Sequence, residues 1–308
     1  MWAWFRRRAR VRAARAHLAG VASAEVAVAS AAAGELGTAA PELEAALDVV
    51  PDRSAAAFFD VDNTMLRGAS IYWLVRGMAA RNYFTARDLV HFGFKQLRFQ
   101  LSGENAGDIA AARQAALAFI AGRKVEEMHE LSEAVYDELM AKRIWSGTRA
   151  LAELHLAAGQ RVWLVTAAPV EVARLIARRL GLTGALGTVS EIDNGVYTGH
   201  LVGDLLHGAA KAEAVKALAA AEGLDLERCA AYSDSSNDLP MLTTVGRAVA
   251  VNPDSELRRV AKRRGWEIRD FRTGRKAAKV AVPSAVGAGA VAGAVFGVLA
   301  MRRRRKDK

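Results

Sequence analysis

The chain has 308 residues, of which 52% are hydrophobic and 25% charged, and its formal net charge is +10 at neutral pH. This composition excludes a disordered or collagen-like chain and leaves room for one sizeable domain with an inserted subdomain. A single cysteine, Cys229, excludes an intrachain disulfide and suits a reducing compartment, so a cytoplasmic catalytic body is expected.

The basic charge belongs to the ends. Residues 1–17 hold six arginines and no acid, while residues 258–308 hold sixteen Lys or Arg against Glu267, Asp270 and Asp307. The middle of the chain is therefore net acidic. Residues 1–50 read as a basic, alanine-rich N-terminal extension opening with Trp2, Trp4, Phe5 and Arg6 to Arg8. No compact apolar stretch follows the basic start, as a signal peptide would require. A helical or disordered extension able to touch a membrane is expected there.

Core-like sequence begins at Ala55. The apolar run Ala55 to Phe59 has the character of a buried parallel strand and ends abruptly in Asp60-Val61-Asp62-Asn63-Thr64. Residues 67–145 show apolar and aromatic positions at helical spacing, among them Tyr72, Leu74, Val75 and Met78. That stretch predicts an all-helical insert. From Trp145 onward the pattern becomes α/β: a helix over Arg149–Ala158, a strand over Val162–Val165 ending in Thr166, and a helix over Val170–Leu180. A short strand at Ala185–Ser190 precedes a hairpin of Val189–Ile192 and Val196–Leu201, turned by Asn194-Gly195. A helix at Lys211–Glu222, a strand at Cys229–Ser233 and a final strand near Ala248–Val251 complete it. Alternating strands and helices predict a Rossmann-like, mainly parallel sheet with helices on both faces. The expected core is 51–66 with 146–270, and the tail is 271–308.

The chemistry-bearing residues fall at strand ends, where open parallel sheets bind their ligands. Asp60 and Asp62 follow the first strand, Thr166 ends the second, and Lys211 begins a helix. Tyr232-Ser233-Asp234-Ser235-Ser236-Asn237-Asp238 ends a later strand with two more carboxylates. Aspartates crowded on one sheet edge repel each other unless a cation sits among them. A hard divalent ion with oxygen ligands, magnesium above all, resolves that conflict.

In this order and on these elements, Asp-x-Asp-x-Thr, Thr, Lys and Asp-x-x-Asn-Asp resemble the four motifs of the haloacid dehalogenase superfamily. The helical insert resembles the C1 cap of the branch that includes phosphoserine phosphatase. The Asn194–Gly199 hairpin and the Ser236–Leu242 ending are similar to that branch too. The resemblance covers about residues 55–255 and implies a magnesium-dependent phosphomonoester hydrolase with a phosphorylated aspartate. Asp60 is then the nucleophile, and Asp62 the acid that becomes a base. Thr166, Lys211 and Asn237 are expected at the phosphoryl group. Asp60, Asp62, Asp234 and Asp238 are expected around magnesium, Asp62 by its carbonyl and Asp238 through a metal water or Lys211. The cap is expected to open for substrate and close against water. One departure stands out: Ala69 occupies the place where phosphoserine phosphatases carry a glutamate for the substrate amine. Arg67 is read as a surface arginine, the alternative being that it meets a second anionic group on the substrate.

The tail holds twenty-two uncharged residues, Val280–Met301, bounded by Lys279 and Arg302 to Lys306. That length can cross a bilayer core, and Gly289, Gly293 and Gly297 place a small-residue stripe on one face suited to homodimer formation in lipid. Membrane association and a lipid-linked phosphomonoester substrate are expectations from this stretch. The alternatives are a phosphoserine phosphatase with an altered amine site and a membrane-tethered regulator that binds phosphate without turnover. The intact Asp60 and Asp62 speak against the latter. No recognisable nucleic-acid module accompanies the basic ends.

Overall fold

The structure is a computed structural model, and it describes residues 2–32, 52–81, 83 and 120–272. By Cα proximity the chain divides into two units. The first takes residues 1–67, 143–191 and 201–275, and the second includes 68–142 and 192–200.

The first unit is built on a six-stranded, wholly parallel sheet in the order β3-β2-β1-β6-β7-β8. Its strands are β1 (Ala56–Asp60), β2 (Arg161–Pro169), β3 (Gly184–Thr188), β6 (Ala230–Ser233), β7 (Arg247–Val251) and β8 (Glu267–Arg269). Every residue of β1 is buried, as expected of a central strand covered on both faces. Phe58 and Phe59 point to opposite faces because side chains alternate along a strand. Phe58 joins Trp163, Val165, Ala231, Leu186 and Leu218 in one apolar cluster. Phe59 stacks on Tyr232 with ring centroids 4.1 Å apart, and His155 stands edge-on to both rings.

Helix α1 (Trp2–Ala32) takes the helical of the two forms expected for the N-terminal extension, but it is docked rather than a free extension. It packs against α6 (Ala209–Glu222) and β3 as part of the core, burying Ala19, Ala22, Ser23, Ala24 and Ala27. The approach is close. A Cβ on Gly20 would lie 2.7 Å from the backbone nitrogen of Ala214, and Ser23 Oγ accepts a hydrogen bond from the Gly187 N–H at 2.9 Å. Small residues are what this packing demands. They also leave almost no hydrophobic stripe for sequence reading to find.

The remaining helices of this unit are α4 (Ser146–Ala157), α5 (Val170–Arg179) and α7 (Ser255–Arg264). Glycines at positive φ, Gly159 and Gly181, follow α4 and α5 as expected. Two elements go beyond the sequence reading, α7 and the edge strand β8. Strand β2 also runs past Thr166 to Pro169, with an irregular register between Val165 and Pro169. Because β8 is parallel to β7, the chain leaves the sheet at its carboxyl edge. There Asp270 binds Arg258 and Arg272.

The second unit contains α2 (Ser70–Ala80) and α3 (Val125–Val135), continued by a π turn over Tyr136–Met140. A Cβ on Gly77 would sit 2.1 Å from Val135 Cγ2, so glycine is what lets these helices meet. The hairpin of β4 (Ser190–Asp193) and β5 (Val196–Leu201) turns at Asn194 and Gly195, both at positive φ. Backbone bonds from Gly122 to Tyr197, Tyr197 to Arg123 and Val125 to Gly195 attach the hairpin to the helices. Residues 192–200 thus belong with the helical insert and not with the core assigned from sequence. Residues 84–119 of that insert lie outside the described residues. So does the stretch 280–301. Among the described residues no helix is long and apolar enough to cross a membrane.

Candidate active site

Strand order reverses at the centre of the sheet. From β1 the chain steps outward to β2 and β3, then returns to the other side for β6, β7 and β8. The carboxyl ends of β1 and β6 flank this switch point, where parallel sheets form their ligand crevice. Asp60 ends β1, opposite Val165 of β2, so Thr166 lies one residue beyond the paired position. Asp234 directly follows β6.

Lys211 in the first turn of α6 is the centre of the cluster. Its Nζ donates to Asp60 Oδ1 at 2.6 Å and to Asp238 Oδ2 at 2.8 Å. All three residues are buried. The helix starts after Gly208, whose φ of 56° and ψ of −118° suit glycine alone. Asp238 Oδ2 accepts a second bond from Ser233 Oγ at 2.7 Å. Thr64 Oγ1 donates to Asp234 Oδ1 at 3.2 Å, and the Thr64 carbonyl accepts from Thr148 Oγ1 at 2.8 Å. Thr166 is buried, and its Oγ1 accepts the Ala168 N–H at 3.1 Å, which leaves its own proton to donate. Asp62 is half-buried beside them, and Asn237 is exposed, with its N–H on Ser235 Oγ.

One ammonium does not balance these carboxylates. Burial pushes Asp60 up to about 7 against the pull of Lys211, and the charges of Asp238 and Asp62 push the same way. Burial, then Asp60 and Asp238, push Asp234 up to about 8. Burial also opposes the charge on Lys211, but Asp238 and Asp60 outweigh it and hold the lysine above its ordinary range. Asp60 and Asp234 therefore await either protons or a cation. Among the described residues no group of three or more His, Cys, Asp or Glu side chains converges as a metal cage. Two hard carboxylates with few other side-chain ligands suit magnesium, which binds one or two carboxylates and keeps several waters. The donor set fits that ion.

The structure brings together Asp60, Lys211 and Asp238 by direct bonds, and Asp234 through Thr64. Ser233 and Thr64 lie within the motifs quoted from sequence, but sequence reading assigns no role to either; the structure gives them Asp238 and Asp234 as partners. The available signal is a hydroxyl next to Asp234 for Ser233 and the last position of the first motif for Thr64. Cys229 is buried with its thiol pushed up by burial, a core residue.

A sequence model of the haloacid dehalogenase-like hydrolase family matches residues 57–243. The chain is 57% identical over 269 residues to the phosphoserine phosphatase SerB1 of Mycobacterium tuberculosis, covering 86% of this chain and 87% of that one. It is 33% identical over 262 residues to a probable phosphatase of the same organism, covering 82% and 91%. Among solved structures, a protein of unknown function from Bordetella pertussis Tohama I matches with a TM-score of 0.62 and 29% identity, covering 70% of this chain and 98% of that one. With its motifs gathered on one sheet edge and these relatives beside it, the chain belongs to the haloacid dehalogenase-like hydrolase family, as an enzyme of the phosphatase type.

Proposed function

We propose that the chain is a magnesium-dependent phosphomonoesterase that works through a phosphorylated Asp60. The observation that carries this reading is the buried bridge from Lys211 to both Asp60 and Asp238. It fixes one carboxylate oxygen of Asp60 and leaves the other for attack. In the first step that oxygen forms a bond to phosphorus while the ester P–O bond breaks, and Asp62 gives its proton to the leaving alkoxide. In the second, Asp62 takes a proton from water, the water oxygen attacks phosphorus, and the bond to Asp60 breaks to release inorganic phosphate. Splitting one displacement into two is the usual benefit of covalent catalysis, and one carboxyl serving as acid and then base closes the proton balance.

Thr166 and Lys211 hold the phosphoryl oxygens, with Asn237 at the rim. Asp238 acts by orienting Lys211. Asp60, Asp234 and the main-chain carbonyl of Asp62 would hold the metal, whose charge offsets that of the transferring group. Small amino-acid phosphomonoesters are the first substrates to try, since the relative named a phosphoserine phosphatase is similar over most of both chains. Ala69, which caps the start of α2, offers no carboxylate to a substrate amine. A second reading, a lipid-linked phosphomonoester, is favoured by the uncharged stretch 280–301 and its basic flanks.

A panel of phosphoserine, other small phosphomonoesters and lysophosphatidate in vesicles, with and without Mg2+, tests these readings. Turnover is expected only with the ion, and Asp60→Asn is expected to lose more than about 10³-fold in kcat. Activity that survives Asp60→Asn would remove the covalent step. Turnover of phosphoserine without any on lysophosphatidate would remove the lipid reading.

A further inference from the structure

The loop Asn252-Pro253-Asp254, directly after β7, touches both carboxylate-bearing loops. Asn252 is 4% exposed and sits at φ 48°, a left-handed conformation that asparagine tolerates. Its amide Nδ2 faces the Asn63 carbonyl of the nucleophile loop at 3.5 Å, while its Oδ1 accepts the Phe271 N–H at 2.7 Å. Two residues on, the Asp254 N–H donates to the Asp234 carbonyl at 2.7 Å. The Asp254 carboxylate divides its work. Oδ2 accepts from Ser236 N–H at 2.8 Å and from Ser236 Oγ at 3.1 Å, and Oδ1 accepts the Leu257 N–H at 2.7 Å to cap α7.

We propose that Asn252 and Asp254 are positioning residues that set the spacing between the Asp60–Thr64 loop and the Asp234–Asp238 loop, and so the site where the divalent ion is held. This rests on the functional reading above. The physical argument is one of separation. Asp60 and Asp234 repel each other when ionised, and a side-chain bond that joins their loops beside the Lys211 bridge, Thr64 to Asp234, is 3.2 Å long. Like charges brought this close push their loops apart, and bracing from behind opposes that push. The Asn252–Asp254 loop is such a brace, because it holds one loop at Asn63 and the other at Asp234 and Ser236. Groups that orient metal ligands this way typically change metal affinity about 10–100-fold when removed.

Asp254→Ser separates bracing from capping. Serine is a good N-cap and can keep the Leu257 bond, but one hydroxyl cannot also hold both Ser236 donors. Asn252→Asp is nearly isosteric and keeps the acceptor for Phe271, yet turns a carboxylate oxygen toward the Asn63 carbonyl. The readouts are the Mg2+ concentration that half-saturates the rise in unfolding temperature of the substrate-free protein, the Mg2+ dependence of turnover, and the unfolding temperature without Mg2+. For each variant the half-saturating Mg2+ is expected to rise about tenfold, with kcat falling more than KM rises. The metal-free unfolding temperature is expected to move by only a few degrees. Variants with wild-type Mg2+ responses and kinetics would overturn this inference alone. A wild-type protein that neither binds Mg2+ nor turns over a phosphomonoester would overturn the functional reading and this inference with it.

Discussion

At the scale of single residues, the site is a problem in excess negative charge, and pH exposes it. In the folded, metal-free protein Asp60 and Asp234 keep their protons up to about 7 and about 8, against 3.8 for an ordinary aspartate. Groups raised in this way favour the folded state fully below the unfolded value of 3.8, and that contribution is lost as pH rises through the folded values. A bound cation takes over from the protons. The rise in unfolding temperature produced by Mg2+ is therefore expected to be larger at about pH 8.5 than at about pH 6, and calorimetry at the two values checks it. Equal shifts would mean that the ion binds elsewhere. The acids, the lysine and Thr166 were legible in sequence because each follows a strand or opens a helix in a fixed order. Asn252 and Asp254 were not. Their partners, Asn63 and Ser236, lie 189 and 18 residues away, and nothing local marks the contact.

At the scale of elements, what was legible depended on whether burial left a pattern. The Asn194-Gly195 turn and the glycines after α4 and α5 carry their own backbone chemistry, so the sequence located them. Helix α1 buries alanine, serine and glycine, and an alanine stripe does not stand out in an alanine-rich chain. Strand β8 is three residues of Glu-Ile-Arg at the sheet edge, too short and too polar to announce itself. Helix α7 hides Leu257, Val260 and Ala261 among five basic residues. The tight seam between α1 and α6 makes a direct prediction. Gly20→Val places branched carbons where backbone already lies, and such overpacking costs about 1–3 kcal/mol. Urea titration should show a lower midpoint with an unchanged slope. No loss of stability would mean that α1 does not dock on the core in solution.

At the scale of the whole molecule, charge is segregated: an acidic middle lies between basic ends. Such ends are drawn to anionic surfaces, and the attraction weakens as salt screens it. The full chain is expected to co-sediment with vesicles containing anionic lipid, and a chain ending at Arg272 to remain in the supernatant. Equal sedimentation of the two would assign any binding to residues 1–272, the basic N-terminal end included. The course of the C-terminal strand gives this tail a particular meaning. Strand β8 ends on the same edge as Asp60, and the guanidinium of Arg272 feels the charge of Asp234. Residues 273–279 can reach no farther than about 25 Å from that edge even when fully stretched. Any surface gripped by residues 280–301 would then hold the catalytic rim on a short leash. Were the substrate lipid-linked, the enzyme would meet it by grazing over a two-dimensional population, and lateral density would govern its rate more than bulk concentration.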